Sequence, residues 1–150
     1  MAQTQNASGV NTPATGCVDP QRSALMARIR SKDSKPELVV RKLAHRLGYR
    51  FRLHRRGLPG TPDLVFPRFR KAVFVHGCFW HRHQGCSRTT NPKTRSAFWS
   101  EKFELNIRRD ATKHKQLRAL GWEVLVIWEC ETFDDHNVAR RLDAFLSRAR

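Results

Sequence analysis

The sequence predicts one α/β domain with a mixed central sheet flanked by helices, and three observations lead to this prediction. The chain has 150 residues, a usual size for one domain. Segments with helical and with extended patterns alternate along it, as in folds where helices pack on a sheet. The run Ala72 to Val75 (AVFV) is apolar on both faces, which is typical of a central strand.

The domain is predicted to begin after a polar N-terminal tail. Residues 1–19 show no apolar periodicity and are expected to be disordered, so the domain would span residues 20–150. Pro20 to Arg30 has the spacing of a short basic helix.

The next predicted helix has a clear start and stop. Ser34 can cap it, Pro36 suits its first turn and Glu37 lies at its positive end. Gly48 can end it. The other predicted elements are strands over Tyr49–His54, Asp63–Phe66, Lys71–His76 and Trp122–Trp128, and helices over Ser96–Leu120 and Asp135–Arg148.

Charge is the strongest signal in the composition. Lys and Arg number 29 against 13 Asp and Glu, a formal net charge of +16. Such an excess indicates a polyanionic partner, and DNA, RNA or an anionic membrane would each satisfy it. No apolar run approaches the roughly 20 residues of a membrane span, and no signal peptide is visible, so we expect a cytoplasmic protein. Its cysteines are then reduced thiols or metal ligands.

A cysteine and histidine cluster predicts a metal. Cys78, His83 and Cys86 form a C-x4-H-x2-C pattern, and Cys130 ends the last predicted strand. Three thiolates and one imidazole suit a closed tetrahedral zinc site, which leaves no position for a reacting water and is therefore structural. His81 is a rival ligand, and the alternative interpretation is a set of buried free cysteines.

Two carboxylates and two histidines are candidates for hydrolytic chemistry. Asp63 opens a strand, and with Glu37 it could hold Mg²⁺, which polarises a phosphate and activates water. The alternative is an ordinary Pro-Asp turn. His76 and His81 could move protons at the same site, although histidines are also common on surfaces and as metal ligands.

Three aromatic residues are candidates for DNA insertion. Phe79 and Trp80 lie in a loop beside a basic stretch, and Trp99 follows in the next helix. Apolar wedges of this kind push between base pairs. The alternative is core packing, the commoner fate of large aromatic residues.

Several of these strings together resemble the very short patch repair (Vsr) endonucleases. The resemblance covers roughly residues 20 to 131 and is most specific in the segment GCFWHRH. It is carried by residues 73–83 (VFVHGCFWHRH), 58–63 (LPGTPD), 108–110 (RRD) and 121–130 (GWEVLVIWEC), together with Trp99.

The resemblance implies a restriction-endonuclease-like fold with a zinc-stapled loop. It further implies a Mg²⁺-dependent nick on the 5′ side of the thymine in T:G mismatches, which arise when 5-methylcytosine deaminates. The expected partners are double-stranded DNA, a MutL-type mismatch-repair protein and, as a functional companion, a cytosine-5 methyltransferase. The enzyme would be a monomer at the bacterial nucleoid, and no membrane is implied.

Residue roles follow from the resemblance by position. Asp63 would bind Mg²⁺ together with the backbone of Val75, where some members have threonine. His76 and His81 would be the catalytic histidines, and Glu37 the helix carboxylate near the metal. The remaining positions are the intercalating residues Phe79, Trp80 and Trp99 and the zinc ligands Cys78, His83, Cys86 and Cys130.

Two other functions share most of these features. A zinc-stapled nucleic-acid-binding protein would have the same charge and aromatic residues, but it has no need of a carboxylate at Asp63 that repels phosphate. A restriction enzyme would share the fold but commonly dimerises, and no dimer helix is evident in the sequence.

Overall fold

The computed structural model describes residues 32–148. The predicted tail and the predicted helix over Pro20–Arg30 lie outside the described residues. Within residues 32–148 the helices are α1 (Lys35–Arg46), α2 (Ser96–Ala119) and α3 (Asp135–Ser147), and the strands are β1 (Arg52–Leu53), β2 (Leu64–Phe66), β3 (Lys71–His76) and β4 (Glu123–Trp128).

The four strands form one mixed sheet in the order β1-β2-β3-β4. The first three pair antiparallel, and β3 pairs parallel with β4, with His76 opposite Trp128. Asp63, the residue before β2, therefore lies at the end of the sheet where β3 finishes. The candidate site lies at this end of the sheet, and the predicted α/β class is confirmed.

Helices cover both faces of the sheet because β2 and β3 are apolar on both sides. On one face Leu64 and Val73 join side chains of α1 and α3, such as Leu43 and Leu142, in one buried cluster. On the other face the second cluster consists of Val65, Ala72, Phe74, Leu117 and Trp122. Central placement of β3, expected from its AVFV run, follows from this two-sided burial.

The first strand is much shorter than the sequence predicts. Only Arg52 and Leu53 pair with β2, and both are exposed. Tyr49 and Phe51 instead pack their ring edges against Phe66, at centroid distances of 6.4 and 5.9 Å. His54 adopts a left-handed backbone conformation, with φ of 45°, which ends the strand.

Helix α2 is long but only two of its residues are buried. Leu117 packs against the sheet and Phe103 against the aromatic residues of the loop before it. Phe98, Ile107 and Leu120 are exposed, which explains why the apolar residues of this segment fit helical spacing only loosely. No helix within residues 32–148 is sufficiently long and apolar to span a bilayer.

A buried lysine fixes the end of α3. Lys71 is 1% exposed, and its Nζ donates to the carbonyls of Phe145 at 2.5 Å and Arg148 at 2.8 Å. A lysine charge near a helix C-terminus is favourable, because the carbonyls there lack helical partners.

The outer edge of β4 is covered by a pair of charged side chains. Glu131 accepts a hydrogen bond from the Trp128 amide at 2.8 Å, and Arg141 donates to the Val126 carbonyl at 3.2 Å. Glu131 and Arg141 also form an ion pair with each other. Two backbone groups on this edge are thereby satisfied within the chain.

Candidate active site and metal centre

A tight turn places Asp63 at the end of the sheet where β3 finishes. Gly60 in this turn has φ of 76°, and a Cβ at that position would lie 3.0 Å from Lys113 Cβ and 3.2 Å from ring carbons of Phe74. The turn therefore requires glycine. Beyond it, Asp63 Oδ2 accepts a hydrogen bond from the Val75 amide at 2.7 Å. The carboxylate is thus held against the backbone of the central strand.

The environment of Asp63 suits a cation. Burial raises the pKa of this carboxyl group to about 7; the Val75 hydrogen bond acts against the rise, and the charge of Glu37 adds to it. A divalent cation would favour the ionised form and offset the cost of burying it. Oxygen ligands of this kind are those that Mg²⁺ prefers, so Asp63 fits such an ion.

Glu37 lies beside this site but is engaged by donors from α1 and from the residues before it. Ser34 caps α1, as the sequence predicts: its hydroxyl oxygen accepts a hydrogen bond from the Glu37 amide at 3.4 Å. Glu37 Oε2 accepts hydrogen bonds from the Asp33 amide at 3.1 Å and from Arg41 at 3.0 Å. Arg41 also contacts the Asp33 carboxylate at 2.7 Å. Glu37 is therefore held in place by a cation of α1 and by a backbone amide before the helix.

The two predicted histidines lie together. His76 at the end of β3 and His81 have parallel rings, with centroids 3.9 Å apart and planes 8° apart. Nitrogen lone pairs lie in the ring planes, so two stacked rings cannot both direct them at one ion between them. Burial, and then the neighbouring His81, lower the pKa of His76 to about 3, which keeps it neutral near pH 7.

An aspartate from α2 orients one of these histidines. Asp110 Oδ2 contacts His81 Nδ1 at 2.6 Å. Although burial raises the pKa of Asp110, the hydrogen bond and charge of His81 lower it below its usual value. Asp110 is therefore ionised and accepts the Nδ1 proton, which leaves His81 Nε2 as the basic nitrogen. This pair has the arrangement of a general base with its orienting carboxylate.

The cysteine and histidine residues form a separate cluster. The ligand atoms of Cys78, His83, Cys86 and Cys130 all lie within 4.8 Å of one another. His83 Nδ1 lies 3.7 Å from Cys78 Sγ and 3.4 Å from Cys130 Sγ. A tetrahedral zinc with Zn–S and Zn–N bonds of about 2.3 and 2.1 Å requires sulfur–nitrogen separations of about 3.6 Å. The four residues therefore fit a tetrahedral metal.

This cluster contains the four predicted ligands and excludes the rival His81. Cys130 lies in a 3-10 turn (Glu129–Phe133) directly after β4, not within the strand. Burial raises the pKa of the Cys78 thiol to about 12 and also raises that of Cys130. A metal cation would stabilise the thiolates that burial disfavours.

The three predicted wedge residues form one half-buried aromatic cluster with Phe103. Phe79 lies 5.1 Å from Trp80 and 6.0 Å from Trp99, measured between ring centroids. Phe103 is buried beneath Phe79 at 5.2 Å. The Lys102 ammonium lies 5.6 Å from the rings of both Trp80 and Trp99. Apolar surface and positive charge are thus combined beside the histidine pair.

Comparison with known proteins identifies the chain's relatives. The family model described as "DNA mismatch endonuclease Vsr" matches residues 17–88. The chain is 54% identical to "Type II nicking enzyme V.XorIIP" of Xanthomonas oryzae pv. oryzae over 122 residues, which is 81% of this chain and 89% of the relative.

The chain belongs to the Vsr family of DNA mismatch endonucleases. It is also 38% identical to "DNA mismatch endonuclease Vsr" of Escherichia coli, with 83% of each chain covered. It is 40% identical to "Type II nicking enzyme V.NmeAIP" of Neisseria meningitidis, with 74% of this chain and 79% of the relative covered. Membership of the Vsr family supports a DNA endonuclease that acts in repair, and a nuclease of this kind implies use of a divalent metal.

In this Vsr-family chain one tryptophan contacts both the cysteine and histidine cluster and the histidine pair. Trp128 stacks on His83 with ring centroids 4.3 Å apart and presents an edge to His76 at 5.3 Å. Because His76 and Trp128 are paired in register on β3 and β4, both clusters depend on the same two strand ends.

Sequence reasoning gave no role to three residues of the Vsr site. Asp110 carries a carboxylate to His81, and only its place in the RRD string indicated it. His114 stacks with His76 at 5.7 Å, and its Nε2 is buried without a hydrogen-bond partner among the described residues.

His54 lies between the carboxylates of Glu37 and Asp63, at 3.6 and 3.9 Å. Its positive φ is a backbone feature that the sequence does not display.

Proposed function

We propose that this chain nicks double-stranded DNA on the 5′ side of the thymine in T:G mismatches and so initiates very short patch repair. The observation that supports this best is that three features lie together at one end of the sheet. They are the buried carboxylate of Asp63, the His81–Asp110 pair and the aromatic cluster around Phe79. Strand nicking accords with the names of the type II nicking enzymes, and mismatch recognition with that of the E. coli relative.

The metal of this reaction is proposed to be Mg²⁺. Asp63 and the Val75 carbonyl would hold it, with Glu37 contributing negative charge nearby. Such an ion, when bound, polarises the scissile phosphate and stabilises charge that develops on its oxygens. Val75 stands where a side-chain hydroxyl is found in some members, and its backbone carbonyl offers an oxygen ligand without one.

The histidines are proposed to carry the protons. His81 Nε2 accepts a proton from the attacking water, and Asp110 stabilises the imidazolium that forms. His76 stays neutral, lies against the His81 ring and can donate a hydrogen bond to a phosphate oxygen.

The aromatic cluster is proposed to recognise the mismatch. Phe79, Trp80 and Trp99 would enter the base stack, where a T:G pair opens at lower cost than a matched pair. Lys102 beside two of these rings would contact phosphate and fix the depth of insertion.

The remaining assignments concern the scaffold and the partners. Zinc held by Cys78, His83, Cys86 and Cys130 would be structural, because four protein ligands close the tetrahedron. The endonuclease domain would span residues 20–150, since the family match begins near that point, with residues 1–19 as a tail. We further propose a monomer that acts at the bacterial nucleoid, with a MutL-type protein and a cytosine-5 methyltransferase as its functional companions.

A cleavage assay tests this function. The purified protein with Mg²⁺ is incubated with duplexes that differ only in T:G or C:G at one position. We expect one nick, 5′ of the mismatched thymine, that is lost with EDTA and in Asp63→Ala. Tight binding without cleavage would instead indicate a DNA-binding protein, and cleavage of both strands in both duplexes would indicate a restriction-type nuclease.

A further inference from the structure

His54 occupies a strained position that directs its ring at two carboxylates. Its φ of 45° is an uncommon backbone conformation for a residue with a side chain. The amide of His54 donates to the Asp63 carbonyl at 3.4 Å, which holds the two residues side by side. Its side chain is only 14% exposed. Strain of this kind persists where the surrounding structure fixes the residue.

Arg41 determines which nitrogen of His54 carries the proton. One guanidinium nitrogen of Arg41 lies 3.0 Å from His54 Nε2 and 3.0 Å from Glu37 Oε2. A guanidinium has donors only, so Nε2 must act as the acceptor. The neutral ring then carries its proton on Nδ1, the nitrogen that faces Asp63 Oδ1 at 3.9 Å.

These contacts place a donor opposite each oxygen of Asp63. The Val75 amide binds Oδ2 at 2.7 Å, and the Nδ1–H group of His54 lies about 1 Å beyond hydrogen-bond distance of Oδ1. Carboxylates that bind metals are commonly oriented by such neighbours.

We propose that Arg41 and His54 are positioning residues that hold Asp63 in the orientation required to bind the divalent cation. Arg41 fixes the tautomer of His54, and His54 restrains the carboxylate through Oδ1. This inference rests on the proposed function, because it takes Asp63 to be the metal ligand. It assigns neither residue a contact with the substrate.

A metal-binding assay without DNA tests the proposal. Binding of Mn²⁺ to the full-length protein is followed through the electron paramagnetic resonance signal of the free ion. We expect His54→Leu to weaken binding by about tenfold to a hundredfold, the usual effect of losing such a neighbour. His54→Asn should stay within about threefold of wild type, because asparagine tolerates positive φ and its amide can replace the Nδ1–H donor. The matched control is His45→Asn, an exposed histidine on α1.

Arg41→Met separates positioning from simple charge. Removal of a cation would on electrostatic grounds tighten Mn²⁺ binding, whereas loss of tautomer control should weaken it. Nitrogen-15 spectra of the His54 ring should show the Nδ1–H tautomer in wild type and a mixture in this variant. Arg46→Met, in the last turn of α1, is the control.

Several outcomes would overturn the proposal, and they differ from failure of the proposed function. Unchanged binding in a folded His54→Leu protein, equal loss in His54→Leu and His54→Asn, or tighter binding in Arg41→Met would each refute it. Thermal melting establishes that each variant is folded. If Asp63→Ala binds Mn²⁺ as well as wild type, then it is the metal assignment of the proposed function that is wrong.

Discussion

Replacement of Asp63 by asparagine should stabilise the metal-free protein while it abolishes nicking. The carboxyl group has an ordinary pKa of 3.8 and a pKa of about 7 in the folded chain. Between these pH values the folded state binds more protons than the unfolded state, so the stability of the wild type falls as the pH rises. Above about pH 7 the whole penalty is present.

The size of the effect follows from this pKa difference, which corresponds to at most about 4 kcal/mol. Asparagine keeps an oxygen for the Val75 amide but accepts a weaker hydrogen bond than a carboxylate. We therefore expect a net gain of about 2 kcal/mol at pH 8, or roughly 6 °C in Tm. At pH 5 the penalty is only about two-fifths as large, and the gain should fall to near zero.

Thermal melts of wild type and Asp63→Asn, at pH 8 and pH 5 and with EDTA limited to traces so that zinc is retained, provide the measurement. Excess Mg²⁺ at pH 8 should then raise the Tm of the wild type alone, because only the wild type binds the ion tightly. Equal melting temperatures at pH 8 without Mg²⁺, or a gain that persists unchanged at pH 5, would refute the reasoning.

Three further predictions concern the cysteine and histidine cluster, the turn at Gly60 and the histidine pair. Cys130→Ser should lower zinc content and Tm together, since binding of a structural metal is coupled to folding; unchanged zinc by atomic absorption would remove Cys130 from the ligands. Gly60→Ala should cost about 1–3 kcal/mol in a denaturant titration, because its Cβ meets Lys113 and its φ is positive, whereas Gly57→Ala, where the added Cβ has no neighbour within 4 Å, should be nearly neutral. Asp110→Asn should reduce single-turnover nicking about a hundredfold or more with mismatch affinity retained, and an unaltered rate would contradict the proposed role of His81.

Much of the fold could be predicted because its signals are local. The start of α1 depends on Ser34, Pro36 and Glu37, which are adjacent in sequence, and the predicted cap is present. The extent of β3 follows from its apolar run, and the structure has it at the predicted residues. The short β1 could not be predicted, because Tyr49 and Phe51 have strand-forming side chains that tertiary packing against Phe66 uses differently.

The cysteine and histidine cluster was predictable for a similar reason, since three of its members lie within nine residues of sequence. The neighbours of the catalytic candidates were not. His81 and Asp110 are 29 residues apart, and Arg41 and His54 are 13 apart. No spacing rule connects a loop histidine to a carboxylate midway along a later helix, so such pairs emerge only when the elements pack.

The charged cover on the outer edge of β4 has a consequence for how the molecules behave at high concentration. An uncovered strand edge can recruit a strand from another molecule and extend the sheet between them. Here a strand from another molecule would have to displace both Glu131 and Arg141, which form an ion pair. These side chains also bind the Trp128 amide and the Val126 carbonyl, respectively. Arg141→Ala would free that carbonyl and leave Glu131 without its counter-ion. Light scattering should then detect slow self-association on warming, while the candidate active site at the end of the sheet still cleaves DNA.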